Sequence, residues 1–340
     1  MKIIVDAMGG DNAPDEIVKG AMEAAASLNC KIIMTGNKEK IDRVINNYKG
    51  NIDSVSDKIE IINTTQVIDI EDDPATVIRQ KKDSSLVVAL NLLRDGKGDA
   101  VVSAGSTGAL LSGATLIVKR IRGIRRAALA PLIPNSKSGF ILIDCGANSD
   151  CTAEFLLQFA YMGSYYAQDM LSIDNPRVGL LNNGSEHTKG TALQIETYKL
   201  LENAAEKERL NFIGNIEPSN ALKGACDVLV CDGYSGNIFL KSIEGTASLI
   251  MGELKTAFYT NAFTKISALL VKKQLSEIKE KMNPDNVGGT ALLGISKPVI
   301  KAHGSSKSTA ITAAIRQAIT SVNVNTESRL IENIDKMKLM

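Results

Sequence analysis

Short apolar runs alternate with helical patterns along almost the whole chain. The apolar runs fall at Ile3–Val5, Lys31–Thr35, Ile59–Asn63, Ala100–Ser103, Leu129–Ile133, Phe140–Asp144, Val178–Leu181, Phe212–Ile213 and Val228–Cys231. Most are nearly continuous in hydrophobicity, as expected of strands covered on both faces. Between them, helical periodicity predicts helices over Asp15–Leu28, Ser84–Arg94, Gly108–Lys119, Ala153–Gln168 and Lys189–Lys207. Strand–helix alternation of this kind predicts an α/β protein, a Rossmann-like three-layer sandwich around a largely parallel sheet. One α/β unit over residues 1–340 is the expected organisation, with two closely packed lobes as the alternative.

One stretch breaks the rhythm. From Gly245 to Met282 the pattern is helical with no strand. Leu254, Phe258, Ala262, Ile266 and Leu270 recur every four residues, Phe263 and Leu269 widen the apolar surface, and Lys255, Lys265, Lys272 and Lys273 lie among them. This predicts a projecting helical hairpin inserted at 245–285. Apolar and lysine side chains together suit membrane contact through Phe258, Phe263, Ile266, Leu269 and Leu270. A dimer interface and partner docking remain open.

Composition narrows the function classes. The chain has 340 residues, 44% hydrophobic and 23% charged, with a formal net charge of +1. Such a balance fits an ordinary globular protein and gives no global field for nucleic acid. The five cysteines form no CxxC pair, which favours reduced thiols over a disulfide or zinc framework. No signal peptide and no run long enough to span a bilayer are visible, so a cytoplasmic protein is expected.

The chemistry lies in the turns that follow the strands. Asp6–Asp11, Ser103–Ala109, Asp144–Asn148, Asn182–Glu186 and Asp232–Asn237 are small, polar and glycine-bearing. In α/β sheets ligands bind beyond the carboxyl ends of strands. Glycine lets backbone N–H groups approach a ligand, and helix N-termini favour anions. These loops are expected to meet at one rim and to suit a phosphate and a developing oxyanion. They match neither GxxxxGK[ST] nor GxGxxG, and no metal motif is present.

DAMGGD at 6–11, SAGSTGA at 103–109, DCGAN at 144–148, LLNNGSEHTKG at 180–190, DGYSGN at 232–237 and KAHGSS at 301–306 resemble, in this order, the bacterial acyl-acyl-carrier-protein:phosphate acyltransferases. The resemblance runs from Met1 to about Asn323. It departs where Ser106 replaces the family's usual asparagine and Tyr234 a common phenylalanine. It implies an isocitrate/isopropylmalate dehydrogenase-like fold, also similar to phosphotransacetylases, and a homodimer with a cleft.

It further implies transfer of a fatty acyl group from acyl carrier protein to inorganic phosphate, without cofactor or metal, early in phospholipid synthesis. The acyl phosphate would pass to a glycerol-3-phosphate acyltransferase. Peripheral contact with the inner face of the cell membrane would follow.

On this reading phosphate is the nucleophile, so neither a serine nor Cys145 is needed for attack. Lys189, placed at a helix start, neutralises phosphate or the developing charge. Asn237 holds the acyl oxygen, and His303 donates to phosphate or the leaving sulfur. Asp6, Gly9, Gly10, Gly105, Ser106, Thr107, Asn148 and Ser235 shape the phosphate pocket.

Acyl carrier proteins are acidic, and Lys119, Arg120, Arg122, Arg125 and Arg126 offer a basic run to dock one. Rival readings are a phosphotransacetylase-like enzyme using short CoA esters, a nicotinamide-dependent dehydrogenase of related fold, and a non-catalytic carrier-binding scaffold.

Overall fold

The computed structural model describes residues 1–48, 55–276 and 288–338. Twelve strands are present among them: β1 Lys2–Asp6, β2 Lys31–Gly36, β3 Ile59–Asn63, β4 Ala100–Ser103, β5 Ala128–Ala130, β6 Leu132–Ile133, β7 Phe140–Ile143, β8 Val178–Leu181, β9 Phe212–Ile216, β10 Val228–Val230, β11 Thr290–Leu293 and β12 Val299–Lys301. The helices are α1 Asp15–Ser27, α2 Lys38–Asn46, α3 Val77–Gln80, α4 Ser85–Arg94, α5 Thr107–Gly113, α6 Ala153–Leu171, α7 Ala192–Glu206, α8 Pro218–Leu222, α9 Gly233–Phe258, α10 Ala262–Leu270, α11 Ser308–Val324 and α12 Thr326–Glu332.

The strands pair in the order β3-β2-β1-β4-β12-β11-β5 and β6-β7-β10-β8-β9. Pro131 divides β5 from β6, since it has no N–H for the ladder. The backbone on either side of it still bonds to β7 and the turn after it, through Leu142 N to Pro131 O at 3.0 Å and Cys145 N to Leu129 O at 3.2 Å. The two groups therefore join through one shared strand.

Burial alternates along the strands and builds two core layers. Ile3, Val5 and Val102 face the layer that holds Met22 of α1, Phe159 of α6 and Ile315 of α11. Ile4 and Val101 face the layer that holds Leu90 of α4 and Leu110 of α5. The same sheet thus buries residues of both parities, each worth roughly 1.5–3 kcal/mol for a large aliphatic side chain. This is the expected three-layer α/β sandwich.

The apolar runs all become strands, but β11 and β12 are additional. Thr290–Leu293 sits between glycines and Val299–Lys301 has only three residues, so neither carries a periodic signal. β12 extends the first group beside β4, and β11 bridges it to β5, so the net reversal between the groups comes from β6 and β7. β11 runs antiparallel to both β12 and β5, and β6 runs antiparallel to β7. Following these directions across the sheet, β7, β8, β9 and β10 point opposite to β1, β2, β3, β4 and β12.

Two helix expectations outside the site loops need correction. The residues 107–118 divide into α5 and a π-helical turn at Ala114–Val118. The helical arm begins at Gly233, directly after β10, because Asp232 caps α9 by accepting from Ser235 N at 2.8 Å. α10 packs back against α9, and Asn261 caps it through Thr264 N at 3.0 Å. The part of the expected hairpin at 277–285 lies outside the described residues.

Candidate active site

The loops gather as two clusters and not along a single rim, because strand direction reverses between the two strand groups. The first cluster follows β1, β4 and β12. Asp6, 2% exposed, accepts from Ser103 Oγ at 2.7 Å, and the same oxygen of Ser103 accepts from Gly105 N at 3.1 Å. Gly9 lies against this turn: a methyl group there would stand 2.5 Å from Asp6 Oδ2 and 2.8 Å from Gly105 N. Gly10 adopts φ +104° beside Ala104 and the Gly304 carbonyl, a conformation suited to glycine. Asp11 N donates to Gly304 O at 2.8 Å, and Asn12 Nδ2 donates to Ser305 O at 3.0 Å.

Asp6 is therefore the buried post of this cluster, and its carboxyl is raised above the ordinary value by burial. Ser106 caps α5 by accepting from Ala109 N at 3.4 Å, and Thr107 is the exposed first residue of that helix.

Lys301, part of a motif but not expected to act alone, sits in the middle of the first cluster. Its Nζ donates to Ala104 O at 3.3 Å and to Ala302 O. Asp6 and Asp11 lie close enough to raise its proton affinity, yet burial dominates and lowers its pKa to about 8. A half-buried ammonium can be found only from the fold, since the pattern KAHGSS does not reveal burial.

The second cluster follows β7, β8 and β10. Asp144 is fully buried. Its Oδ1 accepts from Leu129 N at 2.9 Å and Ala147 N at 3.2 Å, and its Oδ2 accepts from Asn148 N at 2.7 Å and Asn148 Nδ2 at 2.9 Å. Asn148 Nδ2 also donates to Ala127 O at 2.8 Å. Both amide hydrogens of Asn148 are thus engaged, and this side chain braces the loop.

Ser235 Oγ donates to Asp232 Oδ2 at 2.8 Å. Gly233 N donates to Asn148 O at 2.8 Å, while Gly236 lies in close contact with the Asp144 carbonyl. These two glycines are the buried residues of α9. They let the helix start directly upon the β7 loop.

Asn237 is in the first turns of α9, and its amide lies over Gly146, 3.7–3.8 Å from where a methyl group would be. Its side chain is exposed. Lys189 is also exposed, its stem over Gly184. The expected helix start at Lys189 is wrong, since α7 begins at Ala192 with the capping box of Thr191 and Gln194. Lys189 belongs to the preceding loop, held where Asn182 Nδ2 donates to Lys189 O at 3.0 Å. It makes no ion pair among the described residues.

α9 links the two clusters. Its Lys241 approaches His303 Nε2 at 3.5 Å and pairs with Glu244 at 2.8 Å. His303 Nδ1 lies 2.9 Å from Ser305 Oγ and accepts from Ser305 N at 3.3 Å. Burial first, then Asp144, pushes the Cys145 thiol far above its ordinary value, so it is no ready nucleophile. Among the described residues no group of three or more His, Cys, Asp or Glu side chains could hold a metal ion.

The basic run lies on the surface after the π-helical turn. Lys119, Arg120, Arg122, Arg125 and Arg126 are exposed, while Ile121 and Ile124 between them are buried. Arg125 Nε pairs with Glu154 at 3.1 Å, and Arg126 stacks 5.5 Å from the Phe155 ring centre. On α10, Phe263, Ile266, Leu269 and Leu270 are 84%, 59%, 70% and 78% exposed. Phe258 differs, being partly buried near the bend of the arm. Among the described residues no helix is long and apolar enough to cross a membrane.

A family model described as "Fatty acid synthesis protein" matches residues 1–329. The phosphate acyltransferase of Thermoanaerobacterium thermosaccharolyticum is 47% identical over 335 residues, covering 98% of this chain and 97% of that protein. That of Clostridioides difficile is 45% identical over 320 residues, covering 94% and 92%. In fold, the chain is similar to a phosphotransacetylase from Streptococcus pyogenes, with TM-score 0.61, 20% identity and coverage of 96% and 94%. It is also similar to a 4-hydroxythreonine-4-phosphate dehydrogenase from Klebsiella pneumoniae, with TM-score 0.55, 14% identity and coverage of 95% and 99%.

Proposed function

This chain belongs to the phosphate acyltransferase family, and on that premise we propose that its two loop clusters hold the reactants of acyl transfer to inorganic phosphate. The donor is fatty acyl-acyl carrier protein, and the product is the acyl phosphate used in phospholipid synthesis. A phosphate oxygen attacks the thioester carbonyl carbon, the carbon–sulfur bond breaks, and the phosphate proton ends on the departing sulfur. No covalent enzyme intermediate is needed.

The observation that carries this reading is the pair of exposed donors on the second cluster, Lys189 and Asn237, whose side chains make no hydrogen bond or ion pair among the described residues. Phosphate lies between the glycine turns at Gly9, Gly10 and Gly105, the helix start at Ser106 and Thr107, and the second cluster's Ser235. Lys189 neutralises it. The Asn237 amide, aided by the N-terminal end of α9, faces the developing oxyanion. His303, already seated between Ser305 and Lys241, stands toward the leaving sulfur. Asp6 and Asn148 keep the two loops in shape.

The exposed basic run suits an acidic carrier protein, and Lys301 is left outside this assignment. The apolar, lysine-flanked face of α10 suits peripheral contact with the inner leaflet of the membrane, where a glycerol-3-phosphate acyltransferase consumes the product. A homodimer with partner arms packed together would cover other exposed apolar residues of α9, including Leu249 and Ile250.

The test is acyl phosphate formation from long-chain acyl carrier protein and phosphate. Lys189→Ala and Asn237→Ala should each lower turnover by roughly 10²-fold or more, as for a lost transition-state donor. Near-normal turnover by either folded variant overturns the roles given to these side chains. Turnover of short CoA esters alone would favour the phosphotransacetylase-like reading.

A further inference from the structure

Lys301 places its charge where no counter-ion touches it among the described residues. Its Nζ donates to two carbonyls, Ala104 O at 3.3 Å and Ala302 O, which fix it against the turn after β4. An ammonium has three hydrogens to donate. Its carbonyl partners account for two of them. No carboxylate lies within ion-pair distance among the described residues.

The charged groups facing it from neighbouring elements are Asp6 at the end of β1, Asp11 in the following turn and Lys241 on α9. Asp6 is spent on Ser103, and Asp11 is exposed at the Gly304 turn. Half-burying a cation on carbonyls alone, with no carboxylate in contact, is costly. An anion that reached this cluster would remove the cost.

We propose that Lys301 is a phosphate-binding cation of the first cluster, its remaining N–H donated to the bound phosphate. The proposal rests on the reading of the clusters as a phosphate site, and deepens it. Lys301 joins the β4 turn to the ligand: the same ammonium that holds Ala104 O contacts the anion. Its free-enzyme pKa, lowered to about 8 by burial, sets the sign of the pH effect. Below about 8 the ammonium is present and phosphate binds. As pH rises through that value the charge is lost and affinity falls. Bound phosphate favours the charged form, so binding above pH 8 takes up a proton.

The experiment measures inorganic phosphate binding to the full chain by calorimetry from pH 6.5 to 9.5, with acyl phosphate kinetics in parallel. Wild type and the Lys301→Met and Lys301→Arg variants are compared as ratios at each pH, which cancels the titration of phosphate itself. Lys301→Met should weaken phosphate binding about tenfold or more at pH 7, the scale of a lost hydrogen bond to a charged group. That ratio should shrink toward one above pH 8. Lys301→Arg should keep its affinity at pH 9 better than wild type does. The KM for acylated carrier should stay unchanged.

Phosphate affinity of Lys301→Met equal to wild type at pH 7 overturns the proposal, as do ratios that do not change with pH. A structural lysine would lower thermal stability and leave those ratios flat. If Lys301→Met does not fold, the Arg-to-wild-type ratio decides. Acyl phosphate formed at an unaltered phosphate KM by Lys301→Met sinks Lys301 and leaves the acyl-transfer reading standing. Binding with the stated pH dependence but without acyl phosphate does the reverse.

Discussion

The side chains that brace the candidate site are not those proposed to meet the substrate. Asp144 is buried and accepts four N–H groups, from Leu129, Ala147 and twice from Asn148. Burial raises its carboxyl above the ordinary value and these hydrogen bonds oppose that rise. Removing the acceptor leaves backbone donors unsatisfied inside the protein. Asp144→Ala should cost about 3 kcal/mol or more, the scale of lost hydrogen bonds to a charged acceptor. Denaturant unfolding measures it, and a loss under about 0.5 kcal/mol would contradict a bracing role. Lys189 and Asn237 behave differently. They are exposed, so their replacement should reduce turnover while stability changes little.

Among the elements, α9 has the most duties. Its first turn rests on the β7 loop through Gly233 and Gly236, its middle reaches His303 through Lys241, and its outer part carries α10. The outer part has little to bury against within one chain. Phe263, Ile266, Leu269 and Leu270 recur at spacings of three and four, which puts them on one face of α10. Phe258 is a poor probe of that face because it is partly buried. The cleaner pair is Phe263→Glu with Leu269→Glu. Liposome flotation of wild type should exceed that of this variant several-fold, with turnover on soluble substrate retained. Equal flotation would assign the face to another partner.

At the scale of the whole molecule, a net charge of +1 hides a local field. Ile121 and Ile124 are drawn into the core, so the basic side chains beside them stand outward together. Screening over about 8–10 Å at physiological salt confines such a patch to its immediate partner. Arg122→Glu with Arg125→Glu should raise the KM for acylated carrier several-fold and reduce its salt dependence, with kcat little changed. Arg125 already pairs with Glu154, so Arg122 should carry the larger share of the effect. Steady-state kinetics at two ionic strengths separate the two positions, and an unchanged KM for the double variant would mark the patch as plain surface.

Hydrophobic periodicity alone determined the three-layer α/β class, because burial on both faces leaves a continuous apolar signal in each strand. The ordered glycine motifs determined the family resemblance and most of the loops that form the site, since turns of this kind need particular residues. Tertiary structure decided what no local pattern contains. β11 and β12 are too short to announce themselves, yet they join the two strand groups, and the antiparallel meeting of β6 with β7 then divides one expected rim into two clusters. The half-burial of Lys301 depends on the turn after β4, far away in the chain, and the bracing role of Asn148 on the Ala127 carbonyl just before β5. Proton affinity and hydrogen-bond commitment are properties of an environment, and the environment exists only once those strands have paired.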